Sequence, residues 1–94
     1  MSQMEIDEHG NKYWRNSEGY IHRENGPAIE YADGTKEWCI KGKYHREDGP
    51  AVEYPHTPHT SEFWYNGKPY SLENWLNNLN ISDAEKIHLY MKWK

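Results

Sequence analysis

Two His-Arg pairs, His22-Arg23 and His45-Arg46, are the residues of this chain best equipped for chemistry. A guanidinium fork grips a carboxylate or phosphate through parallel hydrogen bonds, and an imidazole can exchange a proton near neutral pH. Each pair therefore suits an anion. Three tryptophans, Trp14, Trp38 and Trp64, lie a few residues from glycine turns. An indole offers a face on which a nucleobase can stack while a cation holds its phosphate. Lys43 and Lys68 each follow such a glycine directly and add charge at a rim. The candidate ligand-binding set is His22, Arg23, His45, Arg46, Trp14, Trp38, Lys43, Trp64 and Lys68.

Other chemistries fit less well. His22 and His45 as an acid/base pair for phosphodiester cleavage would need complementary roles, yet their flanking residues are near-duplicates. Glu24 and Glu47, read as glycosidase carboxylates, meet the same objection. His56-x-x-His59 with Cys39 and His45 falls short of a zinc site, because only one cysteine is present. Nucleophile-elbow, phosphate-loop and metalloprotease motifs are absent from the sequence. No catalytic residue, metal or cofactor is assigned. The expectation is a binding protein, with a small nucleotide-cleaving enzyme as the lesser alternative.

The elements that must position these residues announce themselves by repetition. His22-Arg23-Glu24-Asn25-Gly26-Pro27-Ala28-Ile29-Glu30-Tyr31 returns 23 residues later as His45-Arg46-Glu47-Asp48-Gly49-Pro50-Ala51-Val52-Glu53-Tyr54, changed only at Asn25/Asp48 and Ile29/Val52. Upstream, Gly10-Asn11-Lys12-Tyr13-Trp14 matches Gly34-Thr35-Lys36-Glu37-Trp38, and Ser61–Tyr70 is a degenerate third copy without the His-Arg pair. Residues that return in every unit are first suspected of building the unit. An Arg would then pair with Glu30, Glu53 or Glu37, or stack on a Trp of the next unit.

The architecture predicted is mostly β, an α+β chain: a curved antiparallel meander of β-hairpin repeats capped by two short C-terminal α-helices. Short runs at Ala28–Tyr31, Thr35–Ile40, Ala51–Tyr54 and Glu62–Tyr65 are rich in aromatic and β-branched residues, the strand signature. Asn25-Gly26, Asp33-Gly34, Asp48-Gly49 and Asn66-Gly67 read as tight turns at positive φ. After Tyr70 the apolar period changes. Leu72, Trp75, Leu76 and Leu79 share one helical face behind an N-cap at Ser71. Ser82-Asp83-Ala84-Glu85 is a capping box, and Ala84, Ile87, Tyr90 and Met91 form the stripe expected to face the core. Residues 1–9 are expected to be a frayed N-terminus, 10–70 the two and a half repeats, and 71–94 a helical hairpin of the same domain.

Charge and composition narrow the partners. The net charge is −4, and residues 1–70 hold 12 acids against 8 Lys and Arg, the wrong excess for a binder of duplex nucleic acid. A lone Cys39 forms no internal disulfide and suits a reducing cytoplasm. No apolar run reaches the length of a membrane span, so no membrane role is expected. An open end of a repeat array invites covering by its own tail or by a second copy, so a homo-oligomer is expected.

The string Trp-x4-Gly-x2-His-Arg-Glu-Asx-Gly-Pro-Ala-x-Glu-Tyr, with Gly-x-Lys-x-Trp after it, resembles the MORN-like repeats of small bacteriophage and bacterial proteins. The Tyr70–Lys94 tail is similar to the two-helix ending of some of them. The Gly-x-Gly signature of eukaryotic MORN repeats is absent, and with it any implication of lipid binding. The resemblance implies consecutive β-hairpins and a setting: a phage accessory protein in the cytoplasm of its bacterial host. There it would inhibit a defence pathway by sequestering a small anionic, nucleotide-type signal. The alternative is an inhibitor that binds a host defence or nucleic-acid-processing protein directly through its acidic face.

Overall fold

A computed structural model describes residues 3–57 and 60–94. Among these residues nine short strands precede two helices: β1 (Gln3–Ile6), β2 (Lys12–Arg15), β3 (Ile29–Glu30), β4 (Lys36–Glu37), β5 (Cys39–Ile40), β6 (Lys43–Tyr44), β7 (Val52–Glu53), β8 (Phe63–Tyr65), β9 (Lys68–Tyr70), α1 (Leu72–Asn77) and α2 (Asp83–Trp93). An antiparallel sheet runs β1-β2-β3-β4-β7, and β5-β6 and β8-β9 form separate two-stranded hairpins. The mostly β meander with two C-terminal helices is therefore the observed fold.

Each unit alternates between the sheet and a hairpin, and Trp38 marks the switch. The run Thr35–Ile40 splits there: Lys36–Glu37 pair with β3 and β7, whereas Cys39–Ile40 pair with β6. The single strand expected over this run is thus divided at its centre. Lys41-Gly42 and Asn66-Gly67 close the two hairpins with φ positive at both residues, as a two-residue primed turn requires. At Lys41 that conformation is carried by a residue that gives no turn signal in the sequence.

Backbone bonds define which residues are equivalent. His22 N–H donates to Trp14 O at 2.9 Å, His45 N–H to Trp38 O at 3.1 Å, and in the third unit Tyr70 pairs with Phe63. Phe63, rather than Trp64, therefore stands where Trp14 and Trp38 stand. Register is counted back from the turn, and the sequence match to Trp64 is one residue out. Trp64 instead donates its Nε1–H to Glu62 at 3.0 Å and meets Tyr44 edge-on at 5.0 Å.

The N-terminal expectation also changes. Gln3–Ile6 form an edge strand paired with β2 over four residues, so the ordered body begins ahead of Gly10. Behind it the Asp7 carboxylate accepts from the His9 and Asn11 amides and from the Asn11 and Tyr13 side chains. The Asn11 side chain chiefly holds the Asp7 carboxyl below its ordinary value.

Two patches of core hold the chain together. Ala28, Ile29, Cys39, Pro50, Ala51 and Val52 are buried under the repeats, while Trp75, Leu76 and Leu79 gather Phe63, Tyr65, Tyr70 and Leu89 around the helices. Ser71 and Ser82 cap the helices as their sequence signatures require, their hydroxyls accepting from Asn74 N–H and Glu85 N–H at 3.2 Å. The stripe on α2 is oriented differently from expectation. Ala84, Ile87, Tyr90 and Met91 are exposed, and Leu89 and Trp93 turn inward. Trp93 fixes this rotation by packing on Gly49 and Arg46. Among the described residues no helix is long and apolar enough to cross a membrane.

Candidate functional site

The repeated arginines lie on the repeated tryptophans. Arg23 Cζ sits 4.0 Å from the Trp14 ring centre and Arg46 Cζ 3.6 Å from that of Trp38, so each guanidinium covers the indole of its own unit and not, as expected, that of the next. Each then reaches forward into the sheet. Arg23 Nη1 donates to Pro27 O at 3.2 Å and Glu30 at 3.3 Å, and Arg46 Nη1 to Pro50 O at 3.0 Å and Glu53 at 3.1 Å. Glu37, the third acid considered, instead accepts from the Tyr31 and Tyr44 hydroxyls. Burial followed by the Glu37 charge pushes Tyr31 up to about 12, and Tyr44 higher still.

The histidines join one unit to the next. His22 Nδ1 accepts from Lys41 N–H at 2.9 Å, and His45 Nδ1 accepts from Asn66 N–H at 3.0 Å, each capping the first residue of the following primed turn. Their Nε2 atoms face Glu24 at 3.8 Å and Glu47 at 2.8 Å. Two histidines with the same duty in two units are joints of the stack.

The glycines of the loops have an unexpected reason. Gly26 and Gly49 are not among the positive-φ residues, contrary to the turn reading of Asn25-Gly26 and Asp48-Gly49. A Cβ on Gly49 would stand 2.8 Å from Arg46 Cζ and 2.8 Å from Trp93 Cζ2, and one on Gly26 3.2 Å from Arg23 Cζ. Glycine is present so that a guanidinium can lie against the backbone.

Between the loops of the two full units lies a cleft of about 610 Å3. Of the candidates, Arg23, Trp38, His45 and Arg46 line it. His22, Trp14, Lys43, Trp64 and Lys68 are not in that lining. The Lys43 stem instead packs 3.5 Å from where a Cβ of Gly67 would stand. Glu24, Asn25, Gly26, Ile40, Glu47, Asp48 and Asn66 complete the walls, a set that could be reached from sequence only through the one polar change in the duplicated block. That change matters. Asp48 accepts from Arg46 Nε at 2.7 Å, whereas the neutral Asn25 leaves Arg23 Nε without a protein acceptor among the described residues. The Arg23 side chain is 30% exposed against 13% for Arg46.

Among the described residues no group of three His, Cys, Asp or Glu converges as a metal would need, and His59 lies outside them. Cys39 is buried, which pushes its thiol up to about 12. No protein family, curated protein or solved structure matches this chain.

Proposed function

We propose that this protein is a non-enzymatic binder of a small anion, held in the inter-repeat cleft by Arg23. The observation that carries the reading is the difference between two otherwise matched arginines. Arg46 has its Nε taken by Asp48, and Arg23, with Asn25 in that place, lines the cleft with no protein acceptor for its Nε among the described residues. Two of the three carboxylates in the walls are engaged at hydrogen-bond distance, Glu47 with His45 and Asp48 with Arg46, and Glu24 stands 3.8 Å from His22. A charge-assisted bond to a partly buried guanidinium contributes about 1.5–3 kcal/mol, enough to orient a small ligand. The matching use of both Nδ1 atoms, each accepting from a turn amide, supports binding without turnover. The setting expected from the MORN-like resemblance, a phage inhibitor sequestering a nucleotide signal in a host cytoplasm, adds to this a ligand that carries phosphate.

Asn25→Asp tests the reading. Dimethyl phosphate or acetate, titrated while the Arg23 Nε–H resonance is followed, should bind the parent and not the variant. Equal binding to both would remove Arg23 Nε from the site.

A second reading rests on α2. Ile87 and Met91, 64% and 58% exposed, stand with Tyr90 on one outward face, an arrangement suited to contact with a protein or a second copy. Sedimentation of the parent against Ile87→Asp/Met91→Asp decides it: a parent that stays monomeric to millimolar concentration excludes self-association there.

A further inference from the structure

Unit 2 shows what a unit of this fold accepts around its arginine. On Arg46 the Trp38 indole covers one face, Asp48 supplies a carboxylate to Nε at 2.7 Å, and Trp93 from α2 lies against Gly49 with its ring centre 5.8 Å from Cζ. Unit 1 reproduces the first of these and neither of the others. Trp14 covers Arg23, but Asn25 replaces the carboxylate. The three atoms nearest to a Cβ on Gly26 all belong to Arg23, where Gly49 has Trp93 among them. Gly49 is buried and Gly26 is not, and both Arg23 and Gly26 line the cleft.

We infer that the ligand of the Arg23 cleft is a planar aromatic group carrying a single negative charge. Its anion takes Arg23 Nε, as Asp48 takes Arg46 Nε, and its ring lies on the Gly26 backbone, as Trp93 lies on Gly49. This rests on the anion-binding reading above and names the ligand class. The ring is seated by dispersion and by the guanidinium rather than by hydrogen bonds, since the buried Trp93 Nε1–H has no acceptor in the equivalent place. Rings of different heteroatom pattern are therefore accepted alike. The single charge follows from the walls, where Glu24, Glu47 and Asp48 stand beside Arg23 and Arg46. An aromatic carboxylate or a nucleoside phosphodiester fits this inventory, and a triphosphate meets too much like charge.

Three probes on the full chain test it: indole-3-acetate, acetate and 3-methylindole, each titrated while backbone amide shifts are recorded. Indole-3-acetate should bind about tenfold or more tighter than acetate, the return expected from seating one ring on a cation and backbone, with shifts centred on Gly26. Gly26→Val, which fills the ring seat and presses on Arg23, should bring the affinity for indole-3-acetate down to that for acetate in the same variant. Unchanged Gly49 and Trp93 resonances report that this variant is folded, and if it does not fold the comparison of probes on the parent decides. Equal affinity for indole-3-acetate and acetate overturns the aromatic seat while the anion reading stands. Failure of both anions overturns the anion reading itself. Shifts centred on Gly49 and Trp93 mean that the probe displaces the tail, which also overturns the proposal.

Discussion

Adding one methyl group at each of two equivalent glycines should give different results. Neither Gly26 nor Gly49 has positive φ, so alanine is conformationally allowed at both and gains about 0.4–1 kcal/mol by restricting the unfolded chain. The folded state separates them. At position 49 the new Cβ meets Arg46 Cζ and Trp93 Cζ2 at 2.8 Å and Arg46 Nη1 at 2.9 Å. Arg46 cannot swing aside, because Asp48, Pro50 O, Glu53 and the Trp38 face all hold it. Overpacking of this kind costs about 1–3 kcal/mol, so Gly49→Ala should be net destabilising by about 1–2 kcal/mol. For a chain of this size each kcal/mol lowers the Tm by about 4–8 °C. At position 26 the contacts are 3.2–3.4 Å, all to the more exposed Arg23, which has room to yield. Gly26→Ala should therefore lie within about 0.5 kcal/mol of the parent, because the small steric cost and the entropic gain nearly cancel. Urea titrations followed by tryptophan fluorescence measure both, and near-UV circular dichroism reports whether Trp93 has left its seat. Equal destabilisation by the two variants, or a Gly49→Ala protein as stable as its parent, would refute the reasoning that Trp93 closes unit 2 alone.

Other consequences follow from the same contacts. His45→Ala removes the acceptor of Asn66 N–H, and should cost about 1–2 kcal/mol and speed amide exchange at Asn66 and Gly67. Unchanged exchange there would show that the histidine joint is not holding the turn. Cys39 and Tyr31 are raised from ordinary values of 9.0 and 10.0 to about 12, and Tyr44 is raised as well. The native chain therefore keeps protons that the unfolded chain releases. Stability from these groups is full below about pH 9 and falls as pH rises toward 12. Urea midpoints should decline steadily over that window, and a flat profile would contradict the burial of these groups. Cys39 should also resist Ellman's reagent at pH 8 in the native state and react fully in urea, being buried and protonated.

The repeats, the strand-rich class and the two capped helices are legible in the amino-acid sequence alone. These depend on local signals: a block copied 23 residues apart, alternating apolar residues, and serines at helical N-caps. The sequence also named the two arginines and offered Glu30, Glu53 and Glu37 as their partners, of which the structure pairs Glu30 with Arg23 and Glu53 with Arg46. What it misplaced depends on register and rotation. Phe63 takes the tryptophan position because hairpins are counted from their turns. The Ile87–Met91 face turns outward because one distant residue, Trp93, finds Gly49. The two glycines answer to a guanidinium packed against the backbone, which turn statistics cannot show. Above all, two nearly identical blocks became unequal only in three dimensions. The tail reaches the second and leaves the first facing the cleft, and the Asn25/Asp48 exchange acquires its meaning from that. Local pattern specifies a unit, but which unit is covered depends on where the chain's last helix packs.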